Sequence, residues 1–165
     1  MAKITLKGNP VNSYGDLPVK GSKAPAFRLV KSDLGELSLE ELKGKKVILN
    51  ISPSLDTGIC ATAMRKFNQL AAGMTNTVVL AITKDLPFAH GRFCSTEGIT
   101  NVTTLSGFRD HTFGKDYGIE IIDGGFKGLY ARSIVVIDEN GIVKYTELVP
   151  EIAQEPDYDK AIAAL

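Results

Sequence analysis

Val47-Ile48-Leu49-Asn50-Ile51-Ser52-Pro53-Ser54-Leu55-Asp56-Thr57-Gly58-Ile59-Cys60 is the stretch on which the reading of this 165-residue chain turns. Its first five residues form a run, apolar but for Asn50 and rich in β-branched side chains, the pattern of a strand buried on both faces. A proline-containing turn occupies 52–58. A helical pattern over 58–72 follows and ends at Gly73, with Cys60, Met64, Phe67 and Ala71 on one face. A second apolar strand is predicted at 77–82. Strand, helix and strand in that order predict a parallel pair, and with it an α/β architecture.

Outward from this unit, residues 3–14 read as a hairpin. Ile4 and Leu6 alternate with polar residues, Gly8-Asn9-Pro10 supplies turn chemistry, and 11–14 return. Residues 15–25 are a Gly/Pro-punctuated loop, and 27–30 a short strand. Ser38-Leu39-Glu40-Glu41-Leu42 is one helical turn, with Ser38 and Glu41 spaced as a capping box. Further along, a Pro-started helix is predicted at 86–97, a strand at 102–105 and a short helix at 110–117. Strands at 133–138 and 142–146 flank Glu139-Asn140-Gly141, a hairpin signal. A last helix covers 157–165. The sum is a single domain, 1–165, with a mixed central sheet flanked by helices. This is the order of a thioredoxin-like core with an N-terminal β-hairpin extension.

Composition narrows the function. Hydrophobic residues make up 44% and charged residues 23%, ordinary for a globular chain. Lys+Arg and Asp+Glu are 19 each, so no basic excess attracts nucleic acid or an anionic membrane surface. No apolar run approaches the roughly 18 residues of a membrane span. Met-Ala-Lys-Ile-Thr-Leu at the start lacks the apolar core of a signal peptide, so a cytoplasmic location is expected. Two cysteines are too few for a disulfide scaffold. In a reducing compartment they are apolar filler, metal ligands or redox catalysts. His90 and His111 are the only histidines, expected to be solvated, and neither cysteine has a histidine at zinc-ligand spacing. Neither G-x-G-x-x-G nor a P-loop occurs. No metal and no cofactor is expected.

Cys60 is the residue of interest. With Thr57 or Asp56 as N-cap, it falls in the first turn of the helix, where free backbone N–H groups and the helix dipole favour an anion such as a thiolate. Its alignment with Met64 and Phe67 fits a small buried hydrophobe equally well. Asp56 opposes a thiolate, and the only cations near in sequence are Arg65 and Lys66. On residue pattern alone both readings stand.

Pro53, Thr57 and Cys60 form P-x-x-x-T-x-x-C. With them go Gly8-Asn9-Pro10-Val11, Arg65-Lys66-Phe67-Asn68, Asp85-Leu86-Pro87-Phe88-Ala89, Arg92-Phe93-Cys94 and Glu155-Pro156-Asp157-Tyr158-Asp159. On these motifs the chain resembles the peroxiredoxins, and among them the atypical two-cysteine thiol peroxidases, over nearly its whole length. The resemblance implies that Cys60 is the peroxidatic cysteine, reducing hydrogen peroxide and organic hydroperoxides through a sulfenic acid. It implies that Thr57 bonds the thiolate or the peroxide, that Pro53 shields the sulfur from water, and that Arg132 supplies the missing cation. It assigns Cys94 as the resolving cysteine, which closes an intramolecular Cys60–Cys94 disulfide that thioredoxin then reduces. A homodimer and a role in antioxidant defence are implied as well. One departure is Ser52, where family members commonly carry a large apolar residue, often Phe.

Without the resemblance, Cys94 reads as a buried structural thiol or as half of a standing disulfide, worth about 3.8 kcal/mol on loop entropy. Arg92 beside it in sequence is expected to favour its thiolate. The reduced form is expected to hold the sulfurs apart, with 86–97 or the start of 58–72 loosening on oxidation. A redox-sensing module would use the same two thiols, whereas the missing C-x-x-C argues against a plain disulfide reductase.

Overall fold

In the computed structural model, which describes residues 2–165, the apolar run lies in the middle of a seven-stranded sheet. In chain order the elements begin with β1 (Lys3–Leu6), β2 (Asn9–Asn12), β3 (Arg28–Lys31), β4 (Glu36–Ser38), a 3-10 turn at Leu39–Leu42 and β5 (Lys46–Ile51). They continue with α1 (Gly58–Ala71), β6 (Thr77–Thr83), α2 (Pro87–Glu97), β7 (Thr103–Ser106), α3 (Phe113–Asp116), β8 (Ser133–Ile137), β9 (Val143–Leu148) and α4 (Tyr158–Ala163). The sheet order is β4-β3-β7-β6-β5-β8-β9. Strands β5, β6 and β7 run parallel, and β8 pairs with β5 antiparallel, Leu49 opposite Val135. The mixed sheet, its flanking helices and the separate β1–β2 hairpin are the architecture expected from the sequence.

β5 is apolar on both of its faces, Asn50 excepted, because both sheet faces are covered. Val47, Leu49 and Ile51 point to one core, shared with Leu80, Ile82, Val135, Phe113, Tyr117 and Tyr130. Ile48 points to the other, with Val79, Ala81, Ile134 and Val136, under Met64 and Phe67 of α1 and Ala161 of α4. Each fully buried aliphatic side chain contributes about 1.5–3 kcal/mol to holding these layers together.

Differences from the sequence reading are local. The first hairpin turns at Lys7 and Gly8, both at positive φ, which places Asn9 and Pro10 inside β2. β4 was not expected: it is three residues long and forms a hairpin with β3 across Asp33-Leu34-Gly35, too short for periodicity to register. The hairpin expected across 139–141 is present, β8 pairing antiparallel with β9, and its turn is closed by Gly141 N–H to the Asp138 carbonyl with Gly141 at positive φ. α3 starts at Phe113 with Thr112 as its N-cap, and Asp110 before it accepts the Thr112 and Phe113 N–H groups in a turn that leads into the helix. No described helix is long and apolar enough to cross a membrane.

Candidate active site

The ladder between β5 and β6 continues one residue past β5, with the Ser52 N–H bonded to the Ile82 carbonyl at 3.0 Å. Pro53, buried, then ends it, having no N–H to donate. The chain turns through Ser54, Leu55 and Asp56, and both the N–H and the hydroxyl of Thr57 donate to the Ser54 carbonyl. Thr57 is the N-cap of α1 in extended backbone, and its side chain does not cap the helix. The first turn of α1 carries no acidic residue, and Cys60, 1% exposed, is its third residue. This is the placement expected for it.

Arg132 precedes β8 and is buried to 1% exposure. Its Nη2 lies 3.2 Å from Cys60 Sγ and its Nε donates to the Ile152 carbonyl at 2.8 Å, while Nη1 is buried without a partner. A guanidinium out of water needs acceptors for its donors, and the Cys60 sulfur is one of the two it finds. The fold thus brings together two residues that the sequence keeps far apart.

The Ile152 carbonyl is itself held by the N-terminal hairpin. Thr5 N–H donates to the Pro150 carbonyl and Ile152 N–H to the Thr5 carbonyl, each at 2.8 Å. The Glu151 carboxylate accepts from the Thr5 hydroxyl and from the N–H groups of Lys7 and Gly8. Those bonds, the Thr5 hydroxyl first, hold the Glu151 carboxyl down at about 2.

The structure gives several of these side chains definite partners, and some expectations need correction. Of the two partners the resemblance implies for the Thr57 hydroxyl, the thiolate or a peroxide, the sulfur is not bonded here, and the hydroxyl donates to the Ser54 carbonyl. Arg65, one of the two cations near Asp56 in sequence, pairs instead with Glu97 of α2 through two bonds, at 2.8 and 3.0 Å. Arg92 reaches toward Asp56 at 4.0 Å on the surface and does not assist Cys94. Cys94 is half-buried in α2, and burial pushes its thiol up against an opposing hydrogen bond from Thr104. Both cysteines are free. His90 is not solvated: it is fully buried in α2, its Nε2 lies 2.8 Å from the Thr83 hydroxyl, and burial pushes it down to about 4, against the opposing Asp85 charge. Among the described residues no group of three or more His, Cys, Asp or Glu side chains is placed to hold a metal.

The sequence reading passed over Asp85, Glu151 and Ile152. Asp85 lies within a quoted motif but carried no assigned role. Ile152 acts through a backbone carbonyl, which no side-chain pattern can reveal.

Comparison with known proteins adds to this geometry. The family model described as Redoxin matches residues 19–162. A thiol peroxidase of Corynebacterium glutamicum is 56% identical over 165 residues, all of this chain and 99% of that protein. A thiol peroxidase of Mycobacterium tuberculosis matches to the same identity and coverage. The crystal structure of a peroxiredoxin-like protein from Aquifex aeolicus superposes with TM-score 0.93 at 41% identity, covering 99% of this chain and 95% of that one. A thiol peroxidase from Chromobacterium violaceum shares the fold, with TM-score 0.90 at 23% identity over 98% of this chain and 93% of its own.

Proposed function

The chain belongs to the Redoxin family, among its peroxiredoxin-type thiol peroxidases, and from that premise we propose that Cys60 is the peroxidatic cysteine and Arg132 its partner cation. The observation that carries this reading is the buried Arg132 Nη2 at 3.2 Å from Cys60 Sγ.

The Cys60 thiolate attacks the hydroxyl oxygen of a hydroperoxide. An S–O bond forms and the O–O bond breaks, so that sulfur loses two electrons and the peroxide gains them. Cys60 becomes a sulfenic acid, and the departing oxyanion takes a proton from solvent and leaves as an alcohol or as water. Negative charge builds on that oxygen in the transition state, and a pre-aimed donor lowers the barrier. Arg132 Nη1, still unspent, is the donor for it. The Thr57 hydroxyl has committed its proton to Ser54, so its lone pair accepts the O–H of the peroxide and orients the oxygen under attack. Pro53 closes the loop side of the site against water.

Cys94 resolves the intermediate. Its thiolate attacks the Cys60 sulfur, an S–S bond forms, the S–O bond breaks and the departing hydroxide takes up the proton that Cys94 gave to solvent and leaves as water. A dithiol of the thioredoxin type then supplies two electrons and restores both thiols. Burial pushes the Cys94 thiol up in the closed form, so loosening of α2 or of the start of α1, which brings the two sulfurs together, also favours the Cys94 thiolate. Residues 1–165 work as one domain in this scheme, since the N-terminal hairpin supports the Ile152 carbonyl that holds Arg132. Hydrogen peroxide and organic hydroperoxides are the substrates, antioxidant defence in the cytoplasm the role, and a homodimer the assembly.

The test is mass spectrometry after one equivalent of hydrogen peroxide. The unmodified sequence is expected to close the Cys60–Cys94 disulfide, and Cys94→Ser to stop with one added oxygen on Cys60. Cys60→Ser is expected to consume no peroxide; full turnover by that variant overturns the assignment.

A further inference from the structure

We propose that Asp85 is a positioning residue for peroxide reduction, its carboxylate fixing the 52–58 loop so that Thr57, Cys60 and Arg132 converge on one hydroperoxide. This rests on Cys60 being the peroxidatic cysteine.

Asp85 stands two residues after β6 and two before α2, with no contact to the sulfur. Its carboxylate nevertheless collects three donors. Oδ1 accepts the Ser54 hydroxyl at 2.7 Å, and Oδ2 accepts the Leu55 N–H at 2.7 Å and the Thr83 hydroxyl at 2.9 Å. Hydrogen bonds to an ionised carboxylate are about twice as strong as neutral ones. Ser54 relays this grip. Its hydroxyl accepts the Asp56 N–H, and its carbonyl takes both the N–H and the hydroxyl of Thr57. Thr57 is the residue from which α1 departs, three before Cys60. Asp85, Ser54 and Thr57 therefore form one continuous chain of hydrogen bonds that ends at the helix start, three residues before the sulfur.

Asp85 is itself immobilised. Its N–H donates to the Thr83 hydroxyl and its carbonyl accepts the Ser106 hydroxyl. Proton accounting then fixes His90. The Thr83 hydroxyl gives its one proton to Asp85, since a carboxylate only accepts, so at 2.8 Å it must receive a proton from His90 Nε2. His90 lies in the first turn of α2, the helix that carries Cys94. The same carboxylate thus sits at the seam between the loop of the attacking thiol and the helix of the resolving one.

The test measures the second-order rate constant for Cys60 sulfenic acid formation with hydrogen peroxide, in a Cys94→Ser background and across pH, with circular dichroism confirming the fold at the assay temperature. Asp85→Ala leaves the Leu55 N–H and the Thr83 hydroxyl without an acceptor and is expected to lower the constant more than about tenfold, the scale of a misaimed reacting group. Asp85→Asn keeps an acceptor for those two donors and offers Ser54 an N–H, so it is expected to lose only about threefold. In both variants the midpoint of the pH–rate profile is expected to move upward, as the helix start loosens around the sulfur. Simple removal of a negative charge would move it downward. Constants within twofold of the parent for both variants, or a downward midpoint, overturn the proposal. If Asp85→Ala does not fold, Asp85→Asn and Ser54→Ala decide it by the same criteria. A Cys94→Ser parent that forms no sulfenic acid at all sinks the Cys60 assignment itself, which separates that failure from failure of Asp85 alone.

Discussion

A guanidinium buried to 1% exposure with one unpartnered nitrogen is costly to hold, and its cost indicates its use. Arg132 spends Nε on the Ile152 carbonyl, Nη2 on Cys60 and nothing on Nη1. Only a rigid fork serves a backbone carbonyl, a sulfur and a departing oxygen at once. Lysine keeps the charge but not the fork. Arg132→Lys is therefore expected to slow Cys60 oxidation by about one to two orders of magnitude, near the cost of losing one transition-state donor. Stopped-flow mixing with hydrogen peroxide measures this. His90 makes a second prediction at this scale. With its folded value near 4, against an ordinary 6.5, it stays neutral at pH 5, and its ring carbon shifts by NMR should not move between pH 8 and 5. Cys60 is legible as a candidate from its place in the first helical turn, whereas roles for Thr57 and Pro53 come only through the resemblance that their shared motif carries. Arg132 was legible only through resemblance, since nothing in Ala131-Arg132-Ser133 distinguishes it from a surface arginine. Asp85 and His90 escaped because their roles depend on strand ends brought together by the sheet.

Among the elements, α2, which carries Cys94, is one that the proposed disulfide step calls on to open, and its composition suits that. Phe88, His90, Gly91, Phe93, Cys94, Ser95 and Thr96 are all weak helix formers, Gly91 the weakest. The helix is tied instead at its ends. Asp85 and His90 hold the start, while Glu97 pairs with Arg65 and Asn68 accepts the N–H groups of Thr100 and Asn101 beyond Gly98. A Cβ at Gly91 would meet only Ser32 Cβ at 3.9 Å, an ordinary contact. Gly91→Ala is therefore expected to strengthen α2 by about 1 kcal/mol. Disulfide closure after peroxide should then slow by about fivefold, with the peroxide step unchanged. Sequential stopped-flow separates the two steps. The pH dependence of α2 follows from His90. Between pH 6.5 and 4 an unwound α2 binds a proton that the folded one refuses, so the stability of the helix is intact above 6.5 and falls as pH drops toward 4. Amide exchange in α2, corrected for intrinsic rate, should accelerate over that window while β5 stays protected. Long elements such as β5, α1 and β6 were readable because both their length and their apolar pattern reach across a core. β4 was not, because a three-residue pairing leaves no period to detect.

Across the whole molecule, the N-terminal hairpin acts on a site in which it has no side chain. Thr5, Lys7 and Gly8 clasp Glu151, and the adjoining Ile152 carbonyl holds Arg132 against Cys60. The Glu151 carboxyl titrates near 2 when docked and near 4.5 when free, so docking is fully stabilised above pH 4.5 and is lost as pH falls toward 2. Glu151→Gln is expected to remove this pH dependence, raise amide exchange in β1 and β2, and slow Cys60 oxidation several-fold through a less firmly held Arg132. The hairpin was legible as an element; its service to the site was not, because that runs through backbone atoms. The most direct test of the account compares the rate at which Cys60 takes one oxygen from hydrogen peroxide at pH 7 in Cys94→Ser and in Cys94→Ser/Arg132→Met. A drop of about a hundredfold or more in the double variant, with the fold intact, is the expected result. Equal rates in the two would show that Cys60 reacts without the guanidinium beside it, and would contradict the account.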